Sequence, residues 1–141
     1  MIRNRIRIIK QKRNEKNCGQ LTMAMLTGKT KEEMISIYGH ASSTNMREHN
    51  SILDKLNIKN DKFKKVDNRK RNIESLFSNV AILRVKYDNL KMGHVVLLHN
   101  NKVFDCYYGE HDSLNDYLKY VSNETGRKVL VSHFINIYEN K

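Results

Sequence analysis

The chain has 141 residues, of which 39% are hydrophobic and 29% are charged, and its formal net charge is +11. A chain of this length can bury a core of its own, so we expect one globular domain over residues 1–141. No run approaches the roughly 18 apolar residues of a membrane span, and no uninterrupted apolar segment follows the N-terminus as in a secretory signal. Two cysteines do not make a disulfide framework, and we expect both as reduced thiols in a cytoplasmic protein.

The first half of the chain has a helical pattern. Residues 20–26 are apolar on most sides, as in a buried central helix, and Gly28 is a typical C-terminal stop. Residues 30–33 have the sequence of a capping box, which predicts a second helix ending near Gly39. A third helix is predicted over about residues 45–56, where Ile, Leu and Leu recur on one face.

The second half is dominated by strand patterns. Segments rich in Val, Ile, Leu, Phe and Tyr predict strands at residues 81–87, 94–99, 102–107 and 128–138. Asn100 and Asn101 predict a tight hairpin between the middle two, because asparagine tolerates left-handed backbone. Short helices are predicted at residues 72–78 and 113–121. Helices first and an antiparallel sheet second predict an α+β fold.

Cys18 is the first candidate for chemistry. It precedes Gly19 and the apolar helix, so we expect its sulfur near the free N–H groups and the positive dipole end of that helix. This environment favours the thiolate, which is the form that attacks carbonyl carbons. The alternative is that Cys18 is a small buried hydrophobic residue that happens to precede a helix.

A nucleophile needs a base, and strand register selects one of the six histidines. If residues 100–101 close the hairpin, paired positions sum to 201, and His94 and Asp105 become diagonal neighbours on one face of the sheet. The carboxylate can then hold the imidazole. His99 and Cys106 fall on the opposite face, because strand side chains alternate.

The other histidines have structural interpretations. His40 and His111 are expected in loops, and His49 on the exposed surface of a helix. His133 is expected as a hydrogen-bonded core residue that shares a strand face with the Val and Ile residues of positions 129–137. No pair of histidines has convincing metal-ligand spacing, and the cysteines make no Cys-x-x-Cys half-site. The sequence therefore predicts neither a metal nor a cofactor.

Gln11 lies seven residues before Cys18. Its amide could donate to a developing oxyanion beside the backbone N–H of Cys18, as acyl-transfer sites require. The alternative is an ordinary polar residue in a basic segment.

The excess positive charge is confined to two segments, with +6 over residues 1–16 and +5 over residues 59–71. Such segments fit phosphates or an acidic protein surface as a partner, or they are solvated basic loops. No recognised nucleic-acid motif and no interleaved aromatics accompany them, so specific nucleic-acid binding is not expected.

The candidate catalytic residues match a known pattern in order and spacing. The pattern begins with Gln11 and with Asn17-Cys18-Gly19, which opens a helix containing Ala-Met. It continues with Gly93-His94, which opens a strand of Val and Leu, and with Asp105 at the end of the next strand. Over about residues 8–107 the chain resembles papain-like cysteine peptidases, most closely the type that cleaves double-glycine leaders of bacteriocins. The resemblance implies Cys18 as nucleophile, His94 as base, Asp105 as orienting residue and Gln11 as oxyanion donor. It also implies the papain-like fold, with a helical N-terminal lobe carrying the cysteine against a C-terminal sheet.

Three functions follow from these observations. The leading hypothesis is a thiol acyl-transfer hydrolase, a cysteine peptidase that cleaves a peptide or isopeptide bond in a peptide or protein substrate. The same triad would support deamidation or transglutamination if the substrate were a glutamine side chain. A different class is a basic module that binds nucleic acid or protein and whose triad is vestigial.

Overall fold

The computed structural model describes residues 2–67, 69, 72–88 and 93–138. In chain order these ranges contain α1 (Cys18–Thr27), α2 (Lys31–Tyr38), α3 (Met46–Lys55), β1 (Lys64–Lys65), a 3-10 helix (Ile73–Leu76), β2 (Val80–Tyr87), β3 (Gly93–His99), β4 (Lys102–Asp105), β5 (Gly109–His111), α4 (Leu114–Thr125) and β6 (Val129–Ile137). The strands form one antiparallel sheet in the order β1-β6-β2-β3-β4-β5. The predicted α+β fold is confirmed. Within the described ranges, no helix has the length and apolar character to cross a membrane.

Local sequence sets the ends of the N-terminal helices. Gly28 and Gly39 have left-handed φ angles of 76° and 83°, and they end α1 and α2 as predicted. The predicted capping box begins α2. Asn45 and Glu48 form a second capping box at the start of α3, so this helix begins at the predicted position.

The hairpin between β3 and β4 has the predicted turn and register. Asn100 and Asn101 have φ angles of 48° and 74°, and the paired residues are Leu97 and Phe104, Leu98 and Val103, and His99 and Lys102. The ladder ends there, since β4 stops at Asp105 and the predicted strand to position 107 is two residues too long. The physical reason is that the Asp105 carboxylate accepts the backbone N–H groups of residues 107 and 108, which turns the chain.

The sheet separates two layers of helices. Val95 and Leu97 of β3 face the core shared with α1, α2 and α3, whereas Val96 and Leu98 face the core shared with α4. This division follows from the alternation of side chains along a strand. The helix that carries Cys18 therefore packs against one face of the sheet, and α4 packs against the other.

A β-bulge in β6 corrects the expectation for His133. The register between β2 and β6 shifts by one residue at Ser132. Val131 consequently packs on the α4 side and Ile135 on the α1 side, so the odd-numbered residues of this strand do not share one face. His133 is half-buried with its ring against the edge of Phe63, and it is not the core residue that the sequence predicts.

Two short strands lack any sequence pattern. β1 is a pair of exposed lysines, and β5 begins with Gly109, whose φ angle is 85°. His111 belongs to β5, with its ring between Tyr117 and Tyr120, so the prediction of a loop residue was wrong. The predicted helix at residues 72–78 is a single 3-10 turn, whereas the predicted helix beginning at residue 113 is confirmed as α4.

The basic segments lie along the surface of the fold. In the first, the backbone N–H of Arg3 donates to the Leu26 carbonyl at 2.8 Å, and most of the cationic side chains are exposed. In the second, Lys64 and Lys65 form β1. Lys70 and Arg71 lie outside the described residues.

Candidate active site

Cys18 is the first residue of α1, where the sequence places it at a helix N-terminus. Its thiol is partly exposed and interacts with the His94 side chain and with the backbone of Val95. Burial raises the pKa of the thiol, but the bond to His94, the charge of that ring and the Val95 bond together outweigh it. The pKa of Cys18 therefore lies below its ordinary value, which favours the thiolate.

His94 connects the thiol to a buried carboxylate. Its Nε2 lies 2.7 Å from Oδ1 of Asp105, which leaves Nδ1 as the ring nitrogen for the Cys18 thiol. Burial alone would lower the pKa of His94, but the hydrogen bonds and negative charges of Asp105 and Cys18 raise it well above its usual range. An imidazolium beside a thiolate is the ionic form that this geometry stabilises.

Asp105 is fully buried and accepts several hydrogen bonds. The Tyr117 hydroxyl donates to Oδ2 at 2.5 Å, while the backbone N–H groups of Tyr107 and Tyr108 donate to Oδ1 at 2.7 and 3.2 Å. Burial raises the pKa of this carboxyl, but the His94 interaction, the Tyr117 bond and the backbone bond lower it overall. Asp105 is thus held as a carboxylate with a fixed orientation.

Sequence reasoning missed Tyr117. It lies on the buried face of α4 with Leu114 and Val121, at positions i, i+3 and i+7. A tyrosine at a core position usually needs a partner for its hydroxyl, and this was the available indication. Which partner it takes depends on how α4 packs on the sheet.

Gln11 approaches the site from the N-terminal segment. Its backbone N–H donates to the Cys106 carbonyl at 2.8 Å, and its Nε2 donates to Oδ1 of Asn17 at a long 3.4 Å. Asn17 directly precedes Cys18, so the Gln11 amide lies close to the start of α1. No hydrogen bond joins Gln11 to Cys18 among the described residues.

Cys106 differs from Cys18 in every respect that governs reactivity. It is fully buried in the core on the α1 side together with Phe104, on the face opposite Asp105. Burial, and then the negative charges of Asp105 and Cys18, raise the pKa of its thiol well above the usual range. The pKa of the Cys18 thiol is therefore lowered, whereas that of the Cys106 thiol is raised.

Ligand atoms of His94, Asp105 and Cys106 lie within 4.8 Å of one another, which is the geometry of a possible metal cluster. The 2.7 Å distance between His94 Nε2 and Asp105 Oδ1 is that of a hydrogen bond. The raised pKa of Cys106 disfavours the thiolate that a metal would require. These residues fit the hydrogen-bonded arrangement better than a metal centre.

Comparison with known proteins gives no relatives: no protein-family model, no curated protein and no solved structure matches this chain. The arrangement of Cys18, His94 and Asp105 is therefore interpreted from its own geometry. The three groups interact in the order thiol, imidazole and carboxylate, although the first two are 76 positions apart in the sequence. That order supports acyl transfer by a thiol.

His49 corrects another expectation, because it is fully buried beneath the start of α1 instead of exposed on a helix surface. Its Nδ1 lies 2.6 Å from the Tyr38 hydroxyl and its Nε2 lies 2.9 Å from Oγ1 of Thr44. Burial lowers the pKa of His49 to about 4, so the ring is neutral. Gly19 permits this packing, since a Cβ at that position would collide with Thr44 and with the imidazole.

A cavity of about 200 Å³ opens beside Cys18. The side-chain Nε2 of Gln20 donates to the carbonyls of His40 and Ser42 at 2.9 and 3.1 Å, which anchors the loop that forms one wall. The opposite wall comes from β2 and β3. The lining residues are Cys18, Ser43, Thr44, Asn45, Met46, Arg84, Gly93 and Val95.

Proposed function

We propose that the chain is a thiol acyl-transfer hydrolase, a papain-like cysteine peptidase that cleaves peptide or isopeptide bonds. The observation that carries the proposal is the series of interacting side chains Cys18, His94 and Asp105, with 2.7 Å between His94 Nε2 and Asp105 Oδ1. The lowered pKa of Cys18 supports it, because a nucleophile must be ionised to attack. Two unpaired thiols fit a reducing compartment such as the cytoplasm.

In this mechanism His94 holds the proton of Cys18, and the thiolate sulfur attacks the carbonyl carbon of the scissile bond. The backbone N–H of Cys18 and the Gln11 amide donate to the oxyanion. His94 then gives its proton to the leaving amine, and an acyl thioester remains on Cys18. Water attacks the thioester with His94 as base, which releases the carboxylic acid and restores the thiol. Asp105 remains ionised and orients the imidazole throughout.

The test is selective alkylation near pH 6. Iodoacetamide should label Cys18 and spare Cys106, with the modified residue located by mass spectrometry. His94→Gln should slow the labelling by roughly tenfold or more, since the partner that lowers the thiol pKa is gone. His99→Gln is the matched control, because His99 lies on the same strand and instead bonds the Arg3 carbonyl.

Faster labelling of Cys106 than of Cys18, or equal rates in the two histidine variants, would refute the proposal. Release of ammonia from a glutamine side chain, without peptide cleavage, would assign the same site to deamidation instead.

A further inference from the structure

We propose that the substrate of this site is an acidic peptide, whose carboxylates bind a row of basic side chains leading away from Cys18. This inference rests on the proposed function, since it concerns the chemistry of what the thiol attacks. It also gives a role to Lys65, which belongs to the basic segment of residues 59–71.

The row is a set of directly opposed residues across neighbouring strands. Val95 of β3 pairs with Arg84 of β2, Arg84 pairs with His133 of β6, and His133 pairs with Lys65 of β1. Opposed residues share a face of the sheet, and Val95 faces the α1 side, where it lines the same cavity as Cys18. With neighbouring strands about 4.8 Å apart, the row covers about 14 Å, close to four residues of an extended peptide.

Arg84 brings the row into the cavity beside the nucleophile. It lines that cavity together with Cys18. Its Nη1 donates to Oγ of Ser132 at 2.9 Å, which orients the guanidinium. The group occupies the space over Gly93, where a Cβ would lie only 2.5 to 2.7 Å from its atoms. Arg84 therefore lies next to the residue that precedes His94.

The electrostatics of the row favour an anion. None of the described residues that line the cavity carries a carboxylate. The pKa of His133 is lowered by burial and then by the positive charges of Arg84, Lys65 and Lys86, which indicates that these cations lie close together. Lys86 pairs with Gly93 on the same face, so it adds a further charge beside the row. Together these charges would attract and orient a negatively charged substrate.

A peptide fits this row better than a nucleic acid does. The row begins at the thiol that attacks acyl carbons, and it has the length of a short extended segment. Lys65 belongs to the row, whereas its neighbour Lys64 points to the other face and lies 3.7 Å from Asp61. Replacing either lysine by glutamine therefore removes the same charge, but only the change at Lys65 alters the row.

The first experiment compares two alkylating reagents of nearly equal size, iodoacetate and iodoacetamide. In both reactions the Cys18 sulfur forms a bond to the methylene carbon and iodide leaves. The ratio of the iodoacetate rate to the iodoacetamide rate should fall by roughly three- to tenfold in Arg84→Gln, as expected for loss of one partly buried charge pair. Arg84→Lys should retain most of the ratio, and high salt should reduce the ratio of the wild-type protein.

The two proposals fail in different ways. If iodoacetamide does not label Cys18, the proposed function fails. If it labels Cys18 and the ratio is the same in wild type and Arg84→Gln, only the acidic substrate is refuted.

The second experiment measures protection of Cys18 from iodoacetamide by tetraglutamate, with tetraglutamine as the uncharged match. Tetraglutamate should protect and tetraglutamine should not. Lys65→Gln should weaken the protection severalfold, while Lys64→Gln should not. Equal protection by the two peptides, equal effects of the two lysine variants, or stronger protection by a single-stranded oligonucleotide than by tetraglutamate would overturn the proposal.

Discussion

The Tyr117 hydroxyl provides the sharpest test of the buried carboxylate. It is the one donor to Oδ2 of Asp105 among the described residues, at 2.5 Å, and Tyr117 itself is fully buried. Tyr117→Phe removes this donor and keeps the ring, so it leaves no large cavity. A hydrogen bond to a charged group contributes about 1.5–3 kcal/mol to stability, so the free energy of unfolding should fall by about 2 kcal/mol at neutral pH.

The stability lost in Tyr117→Phe should be larger at neutral pH than in acid. The folded pKa of Asp105 is lowered, so its ionised form stabilises the fold above the unfolded pKa of about 3.9. That contribution disappears as the pH falls through the folded pKa. Once Asp105 is protonated, the Tyr117 bond becomes a neutral one worth about 0.5–1.5 kcal/mol. The difference in the free energy of unfolding between Tyr117→Phe and the wild type should therefore be smaller at acidic pH.

Urea unfolding at neutral and acidic pH measures both effects. Tyr120→Phe is the matched control, because Tyr120 lies on the same helix, is 44% exposed and has no hydrogen bond from its hydroxyl among the described residues. Tyr117→Phe should also slow the alkylation of Cys18, since the carboxylate that orients His94 is held less firmly. A loss below about 0.5 kcal/mol, or one that is the same at both pH values, would refute this account of Asp105.

Further predictions concern the surroundings of Cys18. Gln11→Ala should lower the hydrolysis of an activated ester by roughly a hundredfold if Gln11 donates to the oxyanion, whereas a change below about twofold would refute that role. Gly19→Ala should lower the free energy of unfolding in urea by roughly 1–3 kcal/mol, because the added Cβ would collide with Thr44 and His49. Ser36→Ala, at an exposed helix position, is the control, and equal stability of the two variants would contradict this packing. The pKa of His49 is lowered from 6.5 to about 4 in the folded protein, so the wild type should lose stability as the pH falls across that interval. Unfolding curves measured at a series of pH values should show this loss in the wild type and not in His49→Asn. Equal slopes in the two proteins would refute a neutral buried His49.

The parts of the site that were predicted depend on short-range chemistry. Asn100 and Asn101 determine a tight turn, the turn determines the register, and the register brings His94 to Asp105. Cys18 follows from the start of an apolar helix. In each of these cases, a few neighbouring residues contain the information.

The parts that were missed depend on tertiary packing. His49 is buried because Gly19 leaves room for its ring, and the charged neighbours of His49 give no indication of this. Arg84 reaches the Cys18 cavity because of the register between β2 and β3, which no tight turn in the sequence specifies. The bulge at Ser132 changes the face of every residue beyond it, and nothing in the pattern of β6 marks its position.

The separation of the site residues along the chain has a consequence for the order of folding. His94 and Asp105 are 11 residues apart and are joined by a local hairpin, whereas Cys18 comes from the far end of the chain. Local hairpins close in microseconds, and long-range contacts form later because their loop entropy is larger. During folding His94 and Asp105 are therefore expected to meet before Cys18 reaches them, and Cys18 keeps an ordinary, weakly reactive thiol until α1 docks on the sheet. A pulse of iodoacetamide during refolding near pH 6 should consequently find Cys18 unreactive at first and reactive only in its last phase.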